Sequence, residues 1–223
     1  MKAQSGSRFT QVLRWGALLA LGLGYSVLAH HTAAAATPDA FSALVAVTPL
    51  AVLALVMAWR SPHRPALLAL WLAACAALYG VSGWLVTHFQ GVFLLEHVGV
   101  NSLLCLAFGK SLWAGRTPLV TGFARLVHRT VSPALLSYTR AVTWAWTLYF
   151  GGVSLLSLLL FWLAPITVWS TFANLLGLPL LALMFAVEYA VRCFVLPAED
   201  RAGPLEAIRA YRQASSDATA HHP

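Results

Sequence analysis

All fourteen Lys and Arg residues of this 223-residue chain stand in or beside four of the seven segments left by its apolar runs. The six runs lie at about 13–30, 40–59, 66–87, 91–113, 141–163 and 168–191. Each approaches the roughly 20 residues that a helix needs to cross a bilayer. Lys2, Arg8 and Arg14 start the chain, and Arg60 and Arg64 lie between the second and third runs. Lys110, Arg116, Arg125, Arg129 and Arg140 surround the connection from the fourth run to the fifth. Arg192, Arg201, Arg209 and Arg212 close it. The other connections, HHTAAAATPD, THFQ and the turn at Pro165, carry none. Carrying a cation through hydrocarbon is costly, and loops kept in the cytoplasm collect Lys and Arg. Six spans put every cation on one side. The expected fold is therefore all-α: a polytopic membrane bundle of six transmembrane helices with both termini in the cytoplasm of a bacterial inner membrane.

Composition excludes the soluble alternatives. The chain is 60% hydrophobic and 9% charged, whereas a soluble domain carries about 25% charged residues. The net charge of +7 belongs to cytoplasmic loops rather than to a nucleic-acid surface. Cys75, Cys105 and Cys193 are far apart and form neither a CxxC motif nor a disulfide framework. The basic start, the stretch GALLALGLGYSVLA and the small residues of AHHTAAAA also resemble a secretory signal. A further span follows, which favours retention; cleavage would leave five spans with unchanged orientation. Residues 1–195 are thus expected to form one transmembrane domain. Residues 196–223 form a cytoplasmic tail, with a short helix at 204–213 followed by a disordered end.

Two segments add detail. Ala69, Ala73, Ala76, Ala77, Gly80 and Gly83 recur at three- and four-residue steps in the third run, a small-residue face that predicts a central helix in the bundle. TPLVTGFARLVHR predicts an interfacial helix over 118–129, with Thr117 as N-cap and Pro118 at the first helical position. Its apolar face is Leu119, Val120, Phe123, Leu126 and Val127; Thr121, Arg125, His128 and Arg129 make the face toward headgroups. Ser132–Pro133 signals a further helix running into the fifth span.

The stretch YTRAVTWAWTLYF (138–150), followed by WSTFANLLGLPLLALMFAVEYAVR (169–192), resembles an uncharacterised bacterial inner-membrane protein family. Its members share the patterns Y-T-R-x-V-T-x-x-W and F-A-x-E-Y-x-V-R. The likeness covers roughly 108–192. Genes of that family often stand near those for fatty-acid-like and aryl-polyene synthesis, so the resemblance implies acyl-processing enzymes as neighbours. Tyr138, Arg140, Thr143, Glu188 and Arg192 carry it. Some members bear a ketosynthase label, but this chain has neither the length nor the cysteine setting for that chemistry.

Three sets of residues are candidates for function. Glu188 and Arg192 lie one helical turn apart, and Arg140 enters at the same depth on the neighbouring span. They suit either a structural Arg140–Glu188–Arg192 lock or a headgroup site with arginine forks. Glu96, His97 and Asn101 interrupt an apolar run, with Asn174 as a candidate partner on the last span. The outer-side histidines His30, His31, His88 and His97 are weak metal candidates lacking any ligand motif, so no metal and no cofactor are expected. Trp162 and Trp169 bracket the outer turn and Trp144 and Trp146 the inner end, where all four read as interface anchors. The reading these features favour is a non-catalytic accessory protein whose partners are the bilayer and acyl-processing enzymes. A small proton-linked transporter or flippase using Glu96 and Glu188 is the alternative, and a redox or metal subunit built on the histidines the second.

Overall fold

A computed structural model describes residues 2–35, 37, 39–127 and 131–197, with no side-chain placement at 2–10, 12 and 127. It is helical throughout: α1 (Lys2–Ala33), α2 (Ala40–Arg60), α3 (Arg64–Gly80), α4 (Ser82–Ser111), α5 (Leu119–Val127), α6 (Pro133–Leu163), α7 (Ile166–Ser170), a π-helical segment (Thr171–Leu176) and α8 (Gly177–Val195). Four of these stretches are long and apolar enough to cross a bilayer: Ala40–Arg60, Ser82–Ser111, Pro133–Leu163 and Ile166–Val195. No more than 22% of the most apolar window in any of them is buried within the protein. Surfaces so apolar and so bare belong against lipid.

The count of spans falls below the expected six. The run at 66–87 breaks at Val81 (φ −104°, ψ 18°), so α3 has only 17 residues. The expected THFQ connection lies inside α4, marked by non-helical backbone at His88 (φ −121°, ψ 17°). The 13–30 run belongs to a helix that starts as early as Lys2 and continues through His30 and His31 to Ala33. At 31 residues, α6 measures about 46 Å, well beyond a ~30 Å hydrocarbon core. Ser132 caps it, its hydroxyl accepting the Leu135 amide at 3.1 Å.

The chain divides into two compact units, Met1–His97 with Ser157–Leu178, and Val98–Leu156 with Pro179–Pro223. In the first, α1 packs on α2, on α7 and on the π segment, and α2 packs on α3. Ala29, Ala33 and Ala46 are fully buried beside Phe89, Phe93 and Trp169. Methyl-sized side chains let the helix backbones close in, which matters in lipid because packing rather than water expulsion joins helices. Pro49 lies inside α2. Having no N–H, it leaves the Val45 carbonyl without its helical partner; the Tyr25 hydroxyl donates to that oxygen at 3.3 Å. Asp39 caps α2, accepting the Ser42 amide at 2.7 Å.

The small-residue face of α3 is not where the spacing placed it. Ala69, Ala73, Ala76, Ala77, Gly80 and Gly83 are all exposed, and α3 buries no residue. It packs on α2 instead through Trp71, which is partly buried and whose indole donates to the Ala51 carbonyl at 2.9 Å.

The second unit has its core on α6. Leu135, Tyr138, Val142, Trp146 and Phe150 follow at three- and four-residue steps and are all buried. They meet Cys105 and Phe108 from α4, Leu181 and Met184 from α8, and Val120 and Ala124 from α5. Trp146 is thus a core residue and not an interface anchor, with Phe185 at 4.7 Å and Phe150 at 5.5 Å between ring centres. Trp144 is half exposed, as an anchor would be.

Candidate functional site

Each unit holds polar clusters among apolar helices. In the first, Ser157 of α6 is fully buried and serves as a hub. It accepts the Trp169 indole N–H at 2.9 Å and stands 3.0 Å from His97 Nδ1. A hydroxyl accepting from Trp169 keeps its own proton for His97. The His97 ring meets Phe172 edge-on, with centres 5.9 Å apart. Trp169, expected as an interface anchor, is completely buried here.

Ser170 is a second hub, also fully buried. Its hydroxyl donates to the His30 carbonyl at 3.1 Å and accepts from Asn174 Nδ2 at 3.2 Å. His30 Nδ1 lies 3.0 Å from the same oxygen. Asn174, the candidate partner for the Glu96, His97 and Asn101 face, bonds Ser170. Pro179 explains the irregular backbone nearby, since a proline obstructs the carbonyl four residues earlier, and the widened turn at 171–176 stands just there. Gln90 completes the polar set, its amide donating to the Ala33 carbonyl at the open end of α1, at 3.1 Å.

Glu96 differs from these neighbours. Its Oε1 is buried and, among the described residues, has no hydrogen-bond partner. A carboxylate oxygen so placed is costly unless a donor or cation arrives. Asn101 is half-buried on the same helix. His31 and His88 stay exposed, and His88 lies 4.6 Å from Trp84 in a near-parallel stack. Among the described residues, no three His, Cys, Asp or Glu side chains gather at metal-binding distance.

In the second unit Glu188 is engaged through its Oε1. Arg192 reaches Glu188 Oε1 through Nη2 at 2.7 Å and through Nε at 3.1 Å. The Tyr138 hydroxyl lies 2.9 Å from the same oxygen and 3.0 Å from the Glu188 carbonyl. Arg140 takes no part in this cluster. Two residues along a helix is a rotation of about 200°, so Tyr138 and Arg140 face opposite ways; the Arg140 guanidinium donates to the Leu112 carbonyl at 3.4 Å instead. The lock is thus Tyr138–Glu188–Arg192.

Thr143 is fully buried and holds α5 in place. Its hydroxyl donates to the Thr139 carbonyl at 2.7 Å and accepts the Val120 amide at 3.4 Å. Ser111 accepts the Leu119 amide at 3.0 Å, so α4 and α6 cap the helix start that Thr117 was expected to cap. Thr121, assigned by its spacing to the headgroup face, is buried with its hydroxyl 2.7 Å from that of Thr139. Phe123 and Leu126 remain exposed. Arg125 is exposed as expected, whereas His128, Arg129 and the tail helix at 204–213 lie outside the described residues.

Sequence reasoning missed Ser157, Ser170 and Tyr25. A lone serine in SLLLFW or VWST leaves no periodic signal, and only the pairing across helices shows its role. No family model matches the chain, and neither does any curated protein or solved structure.

Proposed function

We propose that this chain is a non-catalytic accessory protein of a bacterial cytoplasmic membrane, offering a basic face to partners that process acyl lipids. The observation that carries the reading is α5, a nine-residue helix tied down by Ser111, Thr139 and Thr143 that leaves Arg125, Phe123 and Leu126 exposed. Rigid attachment, one exposed cation and two exposed apolar groups make a surface suited to an acidic, lipid-bearing partner. The segregation of all fourteen cations supports six-fold threading with both termini inside. On that threading α1 and α3 supply the two spans beyond the four long helices. The resemblance over 108–192 points to acyl-processing enzymes as the partners.

The test is a titration of the full chain, in discs of neutral lipid, with an acyl-loaded carrier protein at low salt. Saturable binding that Arg125→Glu weakens about tenfold supports docking; equal, non-saturating signal from both proteins ends it. Fusing a reporter after Gly115 checks the threading, because a periplasmic signal there inverts it.

A second reading is a proton-linked transporter. Its motivation is the buried, partnerless Glu96 Oε1 in the unit that also holds the Ser157 and Ser170 hubs. Proton-driven uptake that survives Glu96→Gln unchanged removes it. Glu188 is a poorer carrier, since Arg192 and Tyr138 already occupy it.

A further inference from the structure

The connection from α4 to α6 makes a groove of about 420 Å³ that the readings above touch only at Arg125. Three arginines line it: Arg116, Arg125 and Arg140. They come from three places, the loop after α4, the exposed side of α5 and the first turns of α6. Gly115 contributes by its backbone, since its φ of +80° turns the chain just before Arg116 in a conformation that costs other residues more. Among the described residues, none of the three forms an ion pair. Among the described residues Arg140 makes one long hydrogen bond, to Leu112, which uses one of its five donors. Three like charges around one opening repel each other, and an anion between them relieves the repulsion.

We propose that this groove binds the phosphate of an anionic membrane lipid. Planar guanidinium forks match phosphate oxygens in pairs, which ammonium groups do not. The helix-end amides are not the donors, because Ser111 and Thr143 already accept from Leu119 and Val120. The walls argue for a lipid over a free phosphate ion. Pro118, Pro133 and Leu136 line the groove. Those apolar surfaces suit an acyl chain and gain nothing from a soluble ion. The groove also adjoins the first turns of a helix some 16 Å longer than the hydrocarbon core, which sets it near headgroup depth.

This inference rests on the membrane-accessory reading and adds its ligand. It is tested without any partner protein, so either can fail alone. The full chain in mild detergent is offered phosphatidylglycerol, phosphatidylcholine or inorganic phosphate, and retained lipid is counted by native mass spectrometry. Phosphatidylglycerol is expected to be retained over phosphatidylcholine, and to be lost by about tenfold or more in Arg116→Gln/Arg125→Gln/Arg140→Gln. Arg125→Gln alone, at an exposed position, loses about threefold and keeps the test usable if the triple variant does not fold. Arg60→Gln removes a cation elsewhere and changes nothing. Equal retention of the two lipids, or retention indifferent to all the groove variants, overturns the proposal. Full displacement of the lipid by inorganic phosphate makes the groove a free-anion site and overturns the lipid assignment. The tail carries Glu199, Asp200, Glu206 and Asp217. If phosphatidylglycerol binds only after removal of residues 198–223, the tail is the natural occupant and the proposal fails.

Discussion

Glu96 and Glu188 are both carboxylates within apolar helices, yet their settings are opposite. Glu188 has an arginine and a tyrosine on one oxygen; among the described residues, Glu96 has its buried Oε1 without a hydrogen-bond partner. In the unit that holds Glu96 the hydrogen-bonded polar groups gather on two serines, whereas at Glu188 an ion pair does the holding. A membrane bundle thus has two ways to settle polar side chains. Neutral hubs need no charge but demand dry, close packing. Ion pairs tolerate partial exposure, here 21% for Arg192 and 11% for Glu188, and suit the end of a helix. Glu96 Oε1 uses neither device among the described residues.

That contrast can be broken by measurement. The largest loss is expected for Trp169→Ala, which empties a fully buried site and deprives Ser157 of its donor. About 3–5 kcal/mol is expected from unfolding in mixed micelles, and a smaller loss than that of any Glu188 partner would show the neutral centre to be the softer one. Arg192→Ala follows at roughly 2 kcal/mol, because Tyr138 still donates to the stranded carboxylate. Tyr138→Phe should cost about 1 kcal/mol with the ion pair intact. Glu96→Leu is expected to be neutral or mildly stabilising, since removing an unsatisfied buried oxygen releases its desolvation cost. A clear loss there would reveal a hidden partner and cancel the contrast.

The smallest effect lies outside the spans, at Asp39. Its bonds to Ser42 hold its carboxyl below the usual value of 3.8. A lowered folded pKa means that the cap's contribution is complete above that value and fades as the pH falls through the lower, folded one. Amide exchange at Ser42 should therefore quicken only in strong acid, and Asp39→Asn should flatten the response.

Much of the helical layout was legible in the residues, for physical reasons. Apolar runs bounded by Arg, Pro and Gly place α2, α6 and the last span within a few residues, because hydrocarbon thickness sets their length. The break at Val81 was not legible, since VSGWLVT continues the apolar run without a proline or a charge. The outward turn of Arg140 follows from its two-residue offset from Tyr138 and needed only the helical period. The small face of α3 misled, because spacing shows that a close approach is possible and not which side is used. The serine hubs and the burial of Thr121 depend on what lies across from them, which no single-helix pattern contains.

The polar ties that hold α5 consist of hydroxyls and backbone amides, from Ser111, Thr121, Thr139 and Thr143, beside the apolar packing of Val120 and Ala124. Dissolved ions barely weaken such bonds, whereas they screen whatever the neighbouring arginines attract. Rising ionic strength will therefore strip ligands from this surface while leaving the helix that presents them in position. Recruitment and architecture are, in this corner of the molecule, separately adjustable.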